Sequence, residues 1–339
     1  MKNLYILVDN NQYFADHIAF DKIKVEDIVN YFSKKMLNLK IITLDELSKK
    51  RDINDSIIFT LSSQKPYHKR YLDDVIEVLS LKNNTLIPSK SILRCHDNKG
   101  YQEYYKEFVG ISSLKGYYFN NDSVDYDYID QNYSFPLVLK NIDGSGSRGV
   151  QLVKSKTELQ KNIRKNLVSV HIRFLIYLKE YFYKFLHLNY SDEKLNYYKD
   201  HSNFVIQEFI PNLSFDYKVL VFFDKYYVLK RNINENDFRA SGSGNFEFVE
   251  IEDSLLDYSE LIFKKFNEPF MSLDICFDGK EYYLIEYQGI HFGPYTQIYS
   301  GGFYKKQNTK WNFIKEEVSL EEDIAYSLYR TLELNYGNI

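Results

Sequence analysis

The segment Phe135-Pro-Leu-Val-Leu-Lys140, the run Asp143-Gly-Ser-Gly-Ser-Arg-Gly149 and the segment Val150-Gln-Leu-Val153 follow one another in the chain. Together they restrict the fold more than any other stretch. Gly144, Gly146 and Gly149 spell G-x-G-x-x-G. A dinucleotide fingerprint with that spelling must end a strand and open a helix, so that a pyrophosphate meets the helix N-terminus. Here the glycines are followed by the alternating pattern of a strand, and a helical pattern starts only at Lys156-Thr-Glu-Leu159. The glycines therefore close a β-hairpin. A lysine leading into such a hairpin, Lys140, can hold phosphate, because backbone N–H groups come close where side chains are absent. Walker A is excluded, since no Gly-Lys-Ser/Thr occurs. A protein-kinase loop is excluded as well: there the lysine follows the glycines, and His-Arg-Asp and Asp-Phe-Gly are both absent. An ordinary exposed hairpin is the competing reading of this segment taken alone.

A second constellation lies near the end of the chain, in Leu273-Asp-Ile-Cys-Phe-Asp-Gly279 and Tyr283-Leu-Ile-Glu286-Tyr-Gln288. A hairpin turn centred on Lys280 sets Asp274 opposite Glu286, and opposed side chains share one face. Gln288 lies two residues further along the strand and so shares that face. Three oxygen-bearing side chains on one patch suit Mg²⁺. A slip of one residue would put Asp274 on the other face and disperse the set. Glu286 stands in an apolar run, where an unpaired carboxylate is costly, and a metal or a cationic partner relieves that cost. The competing reading is a plain pair of acids on an edge strand.

With 339 residues, 44% of them hydrophobic, the chain can bury a real core and divide into two or three domains. A net charge of −4 gives no electrostatic reason to expect nucleic acid as a partner. The 32 Tyr and 25 Phe, with Gly and Pro scarce, fit a packed α/β protein. Cys95 and Cys276 are the only cysteines, and they read as buried residues without metal spacing. Met1-Lys-Asn-Leu-Tyr-Ile-Leu-Val-Asp9 reads as a strand reaching a carboxylate and lacks the apolar length of a signal peptide. No run approaches a membrane span, so the expectation is a cytoplasmic protein.

Three parts follow from the patterning. Residues 1–95 alternate strands and helices as a small parallel α/β domain. Residues 96–210 hold the glycine hairpin and a helical insert at about 165–200. Residues 211–339 read as antiparallel hairpins, one turning at Asp224-Lys225 and one at Asp278-Gly279. In the insert, Arg173, Tyr177, Glu180, Lys184 and His187 recur at helical spacing as one solvent stripe. The remaining surface is apolar, which predicts a helix packed within the fold. A homodimer contact and a docking face for a large acceptor are the alternatives.

The order of these segments resembles the ATP-grasp superfamily over residues 90–300, closest to the branch with glutathione synthetase and the ligases that add glutamate to ribosomal protein. The resemblance rests on Lys140 with its hairpin, Val205-Ile-Gln207-Glu208-Phe-Ile-Pro211, Asp216-Tyr-Lys218, Lys230-Arg231, Asp237-Phe-Arg239, Asp274 and Glu286-Tyr-Gln288. It implies a mixed α/β (α+β) ATP-grasp fold: a parallel N-terminal domain, a glycine-hairpin lid and a C-terminal antiparallel sheet. It implies that Lys140 and Lys99 contact the phosphates of ATP, that Gly144, Gly146 and Gly149 close over them, and that Gln207, Glu208, Phe209 and Ile210 line the adenine. Asp216 would accept from the ribose hydroxyls. Lys218, Arg231 and Arg239 would stabilise the transferring phosphoryl group and the anionic intermediate, and Asp274, Glu286 and Gln288 would ligate Mg²⁺. Two positions depart from the family pattern: Gln288 stands where Asn is usual, and Lys218 where this branch has Arg. The second change replaces bidentate contact with a point charge.

The reaction implied is ADP-forming ligation of a small-molecule or peptide carboxylate to an amine through an acyl phosphate, with ATP and Mg²⁺. An ATP-dependent kinase and a non-catalytic nucleotide-binding protein remain as the other classes. An amino acid joined to a peptide or to a surface-sugar acid is the expected kind of product.

Overall fold

The structure, a computed structural model, describes residues 2–9, 23–49, 52–142, 149–165, 170–186, 202–235, 237–240, 242–291, 295–317 and 319–337. The chain forms two compact units, one from Met1–Leu114 and Ile210–Ile339, the other from Lys115–Gly144 and Arg148–Phe209. The expected parts 1–95 and 211–339 thus belong to the same unit.

The first unit opens with β1 (Leu4–Val8), α1 (Val25–Lys34), β2 (Leu39–Thr43), α2 (Leu44–Lys49), β3 (Ile57–Phe59), α3 (Pro66–Ser80), β4 (Thr85–Ile87), α4 (Lys90–Cys95) and α5 (Lys99–Phe108). The four strands make a parallel sheet in the order β2-β1-β3-β4, as the alternating pattern predicts. In α1 the buried residues Val25, Ile28 and Phe32 fall on one stripe, and Glu26 and Asp27 occupy the first turn, where the helix dipole favours acids.

The second unit holds β5 (Gly116–Asn120), α6 (Tyr126–Asn132), β6 (Leu137–Asn141), β7 (Val150–Val153), α7 (Lys156–Lys165), α8 (Val170–Phe185) and β8 (Asn203–Glu208). Its sheet runs β5-β8-β6-β7. The strands β6 and β7 are antiparallel, with Lys140 opposite Val150, so the glycines do join two strands. Gly149 has φ +74°, and a Cβ there would stand 2.7 Å from Asn141 Nδ2, so only glycine fits without strain. Gly144 and Gly146 lie outside the described residues. Of the insert, Val170–Phe185 is helical, and the stretch from His187 on lies outside the described residues; the described part of its apolar surface is not packed as expected. Leu175, Leu178, Tyr181, Phe182, Phe185 and Leu186 are all exposed.

The first unit resumes with β9 (Phe215–Phe222), β10 (Lys225–Asn232), β11 (Phe246–Glu247), α9 (Asp253–Phe266), β12 (Phe270–Phe277), β13 (Tyr282–Gln288), α10 (Tyr295–Tyr299), β14 (Phe303–Gln307), β15 (Lys310–Ile314) and α11 (Leu320–Tyr336). The sheet order is β13-β12-β9-β10-β14-β15, with β11 on β10. Period-two alternation along β9 divides two cores. Leu220 and Phe222 join Tyr227, Phe270 and the parallel layer, while Val219 and Val221 join Met271, Leu273 and α9. Both cysteines are buried and free. Among the described residues no helix is long and apolar enough to cross a membrane.

Candidate active site

In the second unit, Lys140 on β6 is buried and donates from Nζ to Gln207 Oε1 on β8 at 2.7 Å. The register explains the meeting. Val138 lies opposite Gln207, and Lys140, two residues on, shares that face. Gln207 is 1% exposed, so the pair fixes a cation in the sheet. Glu208 accepts from the Lys115 N–H through Oε2 at 2.9 Å, and Phe209 and Ile210 follow the strand.

In the first unit, Asp216, Lys218, Arg231, Asp274, Glu286 and Gln288 stand on four neighbouring strands of one sheet. Asp216 faces Arg231, Lys218 faces Asp274, Asp274 faces Glu286, and Ser272 faces Gln288. All six therefore share one face. The apolar half of that same face, Leu220, Phe222, Tyr227 and Phe270, is buried, so the sheet is anchored at one end and carries charge at the other.

Two local features differ from the sequence expectation. The β12–β13 turn is not centred on Lys280: Phe277 pairs with Tyr282 and Ile275 with Leu284. Continued unbroken, that register would set Asp274 opposite Ile285 and turn Glu286 to the other face. A bulge between Asp274 and Ile275 skips Ile285 and restores Asp274 to Glu286. In the other hairpin Phe222 pairs with Lys225, so the turn is Phe223-Asp224 and not Asp224-Lys225, with Phe223 at φ +58°. A turn at Asp224-Lys225 would have set Arg231 opposite Lys218. The observed turn sets it opposite Asp216.

Arg231 donates from Nε to Asp216 Oδ1 at 2.6 Å and from Nη2 to Asp216 Oδ2 at 2.7 Å. Its Nη2 also lies 3.1 Å from Asp274 Oδ2. Lys218 Nζ stands 3.5 Å from Asp274 Oδ1, at ion-pair range. Burial pushes the Asp216 carboxyl up despite Arg231. Burial also acts upward on Asp274, but Arg231 and Lys218 outweigh it and hold that carboxyl below the usual range. Burial acts to lower the Arg231 pKa, and the two carboxylates overcome it, raising the guanidinium's pKa.

Asp274 Oδ1 is buried and accepts no hydrogen bond. An oxygen in that condition is costly and suits a cation ligand. Mg²⁺ takes oxygen donors and uses one or two carboxylates, so Asp274, Glu286 and the amide of Gln288 fit it by donor type. No group of three or more His, Cys, Asp or Glu able to hold a metal occurs among the described residues; this set has two carboxylates and an amide.

Arg239 is not on that face. It belongs to the segment between β10 and β11 and chelates Asp237, Nε to Oδ1 at 2.8 Å and Nη2 to Oδ2 at 2.9 Å. Lys99 opens α5 and is buried, beside the Asn98 cap that accepts from the Tyr101 N–H. Sequence reading missed a buried imidazole pair. His96 and His291 stack at 4.7 Å between ring centroids, with His96 Nδ1 2.6 Å from Ser62 Oγ. Burial, then the neighbouring His291, holds His96 down at about 2, so it is a neutral group. His291 lies three residues beyond Gln288 at φ +59°, in the left-handed region that histidine enters more readily than most non-glycine residues. The cue was histidine next to chemistry-bearing segments, without any spacing to tie them together.

No family model matches the sequence, and no curated protein matches it. Solved structures do resemble it. D-cycloserine synthetase DcsG is 8% identical with a TM-score of 0.55, covering 98% of this chain and 99% of that one. D-alanine–D-alanine ligase from Bacillus anthracis is 14% identical with a TM-score of 0.53, covering 98% of each chain. The ATP-grasp ligase PsnB, solved with a minimal precursor, is 12% identical with a TM-score of 0.51, covering 98% and 100%. Nearly whole-chain coverage by these structures, with the sheet order described above, shows that this chain has the ATP-grasp fold.

Proposed function

We propose that the chain is a cytoplasmic, ATP-dependent, ADP-forming ligase that joins a carboxylate to an amine through an acyl phosphate. The observation that carries this reading is the charged sheet face: two cations and three carboxylates aligned across β10, β9, β12 and β13, with one buried carboxylate oxygen that accepts no hydrogen bond and has Lys218 at ion-pair range. ATP would meet Lys140, Lys99, the glycine hairpin and Gln207–Ile210. Mg²⁺, held by Asp274, Glu286 and Gln288, supplies charge neutralisation at the phosphates. A carboxylate is a poor acyl donor until its oxygen becomes a leaving group, which phosphorylation provides. Lys218 and Arg231 then act on developing negative charge, at the transferring phosphoryl group and at the tetrahedral oxyanion formed when the amine attacks; Arg239, expected to join them, would first have to leave Asp237. Substrates are a small-molecule or peptide carboxylate and an amine, in keeping with the range of similarly folded ligases: a D-alanine–D-alanine ligase, a D-cycloserine synthetase and a ligase seen with a precursor.

The test is a panel of carboxylates and amines scored for Mg²⁺-dependent ADP release, with hydroxylamine added to trap the acyl phosphate as a hydroxamate. ADP and free phosphate should appear together and depend on the amine. Glu286→Gln should abolish release while shifting stability by no more than about 0.5 kcal/mol, since Glu286 is only partly buried. Phosphate retained on a product hydroxyl would identify a kinase instead.

A further inference from the structure

Asp216 and Arg231 are direct neighbours on β9 and β10, and each is 5% exposed. Both carboxylate oxygens of Asp216 take the guanidinium, at 2.6 and 2.7 Å. Arg231 grips Asp274 by one longer contact, Nη2 to Oδ2 at 3.1 Å. The guanidinium is thus shared unequally, with two bonds to Asp216 and one to Asp274. A planar fork with five donors spends Nε and Nη2 on these acids, leaving Nη1 outside this set. The family likeness assigns Asp216 to the ribose hydroxyls, but a carboxylate buried and chelated in this way is poorly placed to meet a ligand.

We propose that Asp216 is a positioning residue for Arg231: it holds the guanidinium on the sheet so that Asp274 can exchange its single arginine contact for a divalent cation. This rests on the ligase reading above. A cation arriving at Asp274 competes with Arg231 for the same carboxylate. With Asp216 in place the arginine has a second, stronger partner at hand, so it gives up one contact and stays where its charge faces the phosphates. Without Asp216 the whole guanidinium charge falls on Asp274, and the metal seat closes into an ordinary salt bridge.

The experiment is calorimetric binding of ADP to the full chain, in EDTA and across a Mg²⁺ titration, repeated with 2′,3′-dideoxy-ADP. Asp216→Asn is expected to raise the Mg²⁺ concentration for half-maximal ADP binding about tenfold, the order of effect of one close unit charge. Binding of ADP in EDTA should stay within about twofold, and the wild-type preference for ADP over its dideoxy analogue should be kept. In an Arg231→Met background Asp216→Asn should add less than about twofold to the Mg²⁺ requirement, because it acts only through the arginine. A merely structural ion pair would lower thermal stability without this Mg²⁺-selective loss. Equal weakening with and without Mg²⁺, together with loss of the dideoxy preference, would make Asp216 a ribose ligand and overturn the proposal. A further Mg²⁺-selective loss in the Arg231→Met background would overturn it too, since Asp216 would then act on the cation directly. Should Asp216→Asn not fold, Asp216→Glu, which keeps a negative partner for Arg231 one methylene further out, must show a smaller loss of the same Mg²⁺-selective kind, and equal weakening with and without Mg²⁺ would overturn the proposal. Wild-type protein that binds no ADP under any condition would sink the ligase reading itself, an outcome separate from all of these.

Discussion

The strand β10 carries a cation at each end of one face, half-buried Lys225 and buried Arg231, and the two ends solve the same electrostatic problem differently. At one end Lys225 Nζ bonds Asp323 Oδ1 at 3.0 Å, Gln297 Nε2 donates to Asp323 Oδ2, and Asp323 is fully buried. Each carboxylate oxygen has a partner, and α11 closes the cluster. At the other end Arg231 serves Asp216 and Asp274, and Asp274 Oδ1 remains without a hydrogen bond. Their titration differs accordingly. Burial dominates at Asp323 and raises its carboxyl in spite of Lys225, whereas at Asp274 the cations overcome burial and lower it. A cluster whose oxygens are all hydrogen-bonded holds the fold together, while one whose oxygen has only a longer ion pair, to Lys218, can exchange it for a ligand.

The largest effect should come from the closed end. Lys225→Met removes the cation from a buried carboxylate, and breaking such a pair typically costs about 3–5 kcal/mol. Urea unfolding of this variant should show that loss, with ADP binding by the surviving folded protein unchanged. A loss below about 1 kcal/mol would mean that the two ends are not different in kind.

Another buried carboxylate, Glu268, sharpens the contrast, because its oxygens are capped by a neutral group. Both Glu268 oxygens accept the Ser89 N–H, at 3.1 and 3.0 Å. Burial pushes this carboxyl up from 4.5 to about 7, with Ser89 opposing. In that window the folded state binds the proton more tightly than the unfolded chain does. Stability from this group therefore falls as pH rises from about 4.5 to about 7, by about 3 kcal/mol in all, and is level above. Glu268→Gln should flatten that slope. Unfolding free energies of wild type and variant at pH 5 and pH 8 provide the check: an equal pH dependence in both would remove Glu268 as its source.

The sequence revealed these clusters unevenly. Period two together with a turn counted from Lys280 was enough to place Asp274, Glu286 and Gln288 on one face, while Lys218 entered only through the family resemblance. Which residues are neighbours on that face was less legible, because register depends on turn length. The Phe223-Asp224 turn makes Asp216 the partner of Arg231, and a left-handed Phe223 gives no turn signal of the Asn, Asp or Gly kind. The bulge at Ile285 is similarly silent, and a simple count from Lys280 reaches the right pairing only because the bulge offsets the shorter turn. The parallel layer was legible because its strands are short apolar runs between amphipathic helices. The exposed face of α8 was not, since periodicity reports an apolar surface without saying whether anything covers it. The Lys225–Asp323 pair spans almost a hundred residues, a long-range contact that no local pattern encodes.

The smallest stability effect should come from the open end, and it separates site from scaffold most directly. Asp274→Asn removes a half-buried carboxylate, which by analogy with Lys225 would cost several kcal/mol. Arg231 keeps both bonds to Asp216, however, so no buried cation is left unpaired. Lys218, at 20% side-chain exposure, can turn to water. The amide also costs less to desolvate than a carboxylate and leaves no charged oxygen unsatisfied. Unfolding free energy should therefore change by no more than about 1 kcal/mol in either direction. Mg²⁺-dependent ADP binding should weaken about a hundredfold, near the upper range for losing one charged partner. Denaturant unfolding and calorimetry on the same preparation measure both numbers. A variant that loses several kcal/mol of stability yet binds MgADP normally would make this end a structural cluster like the other.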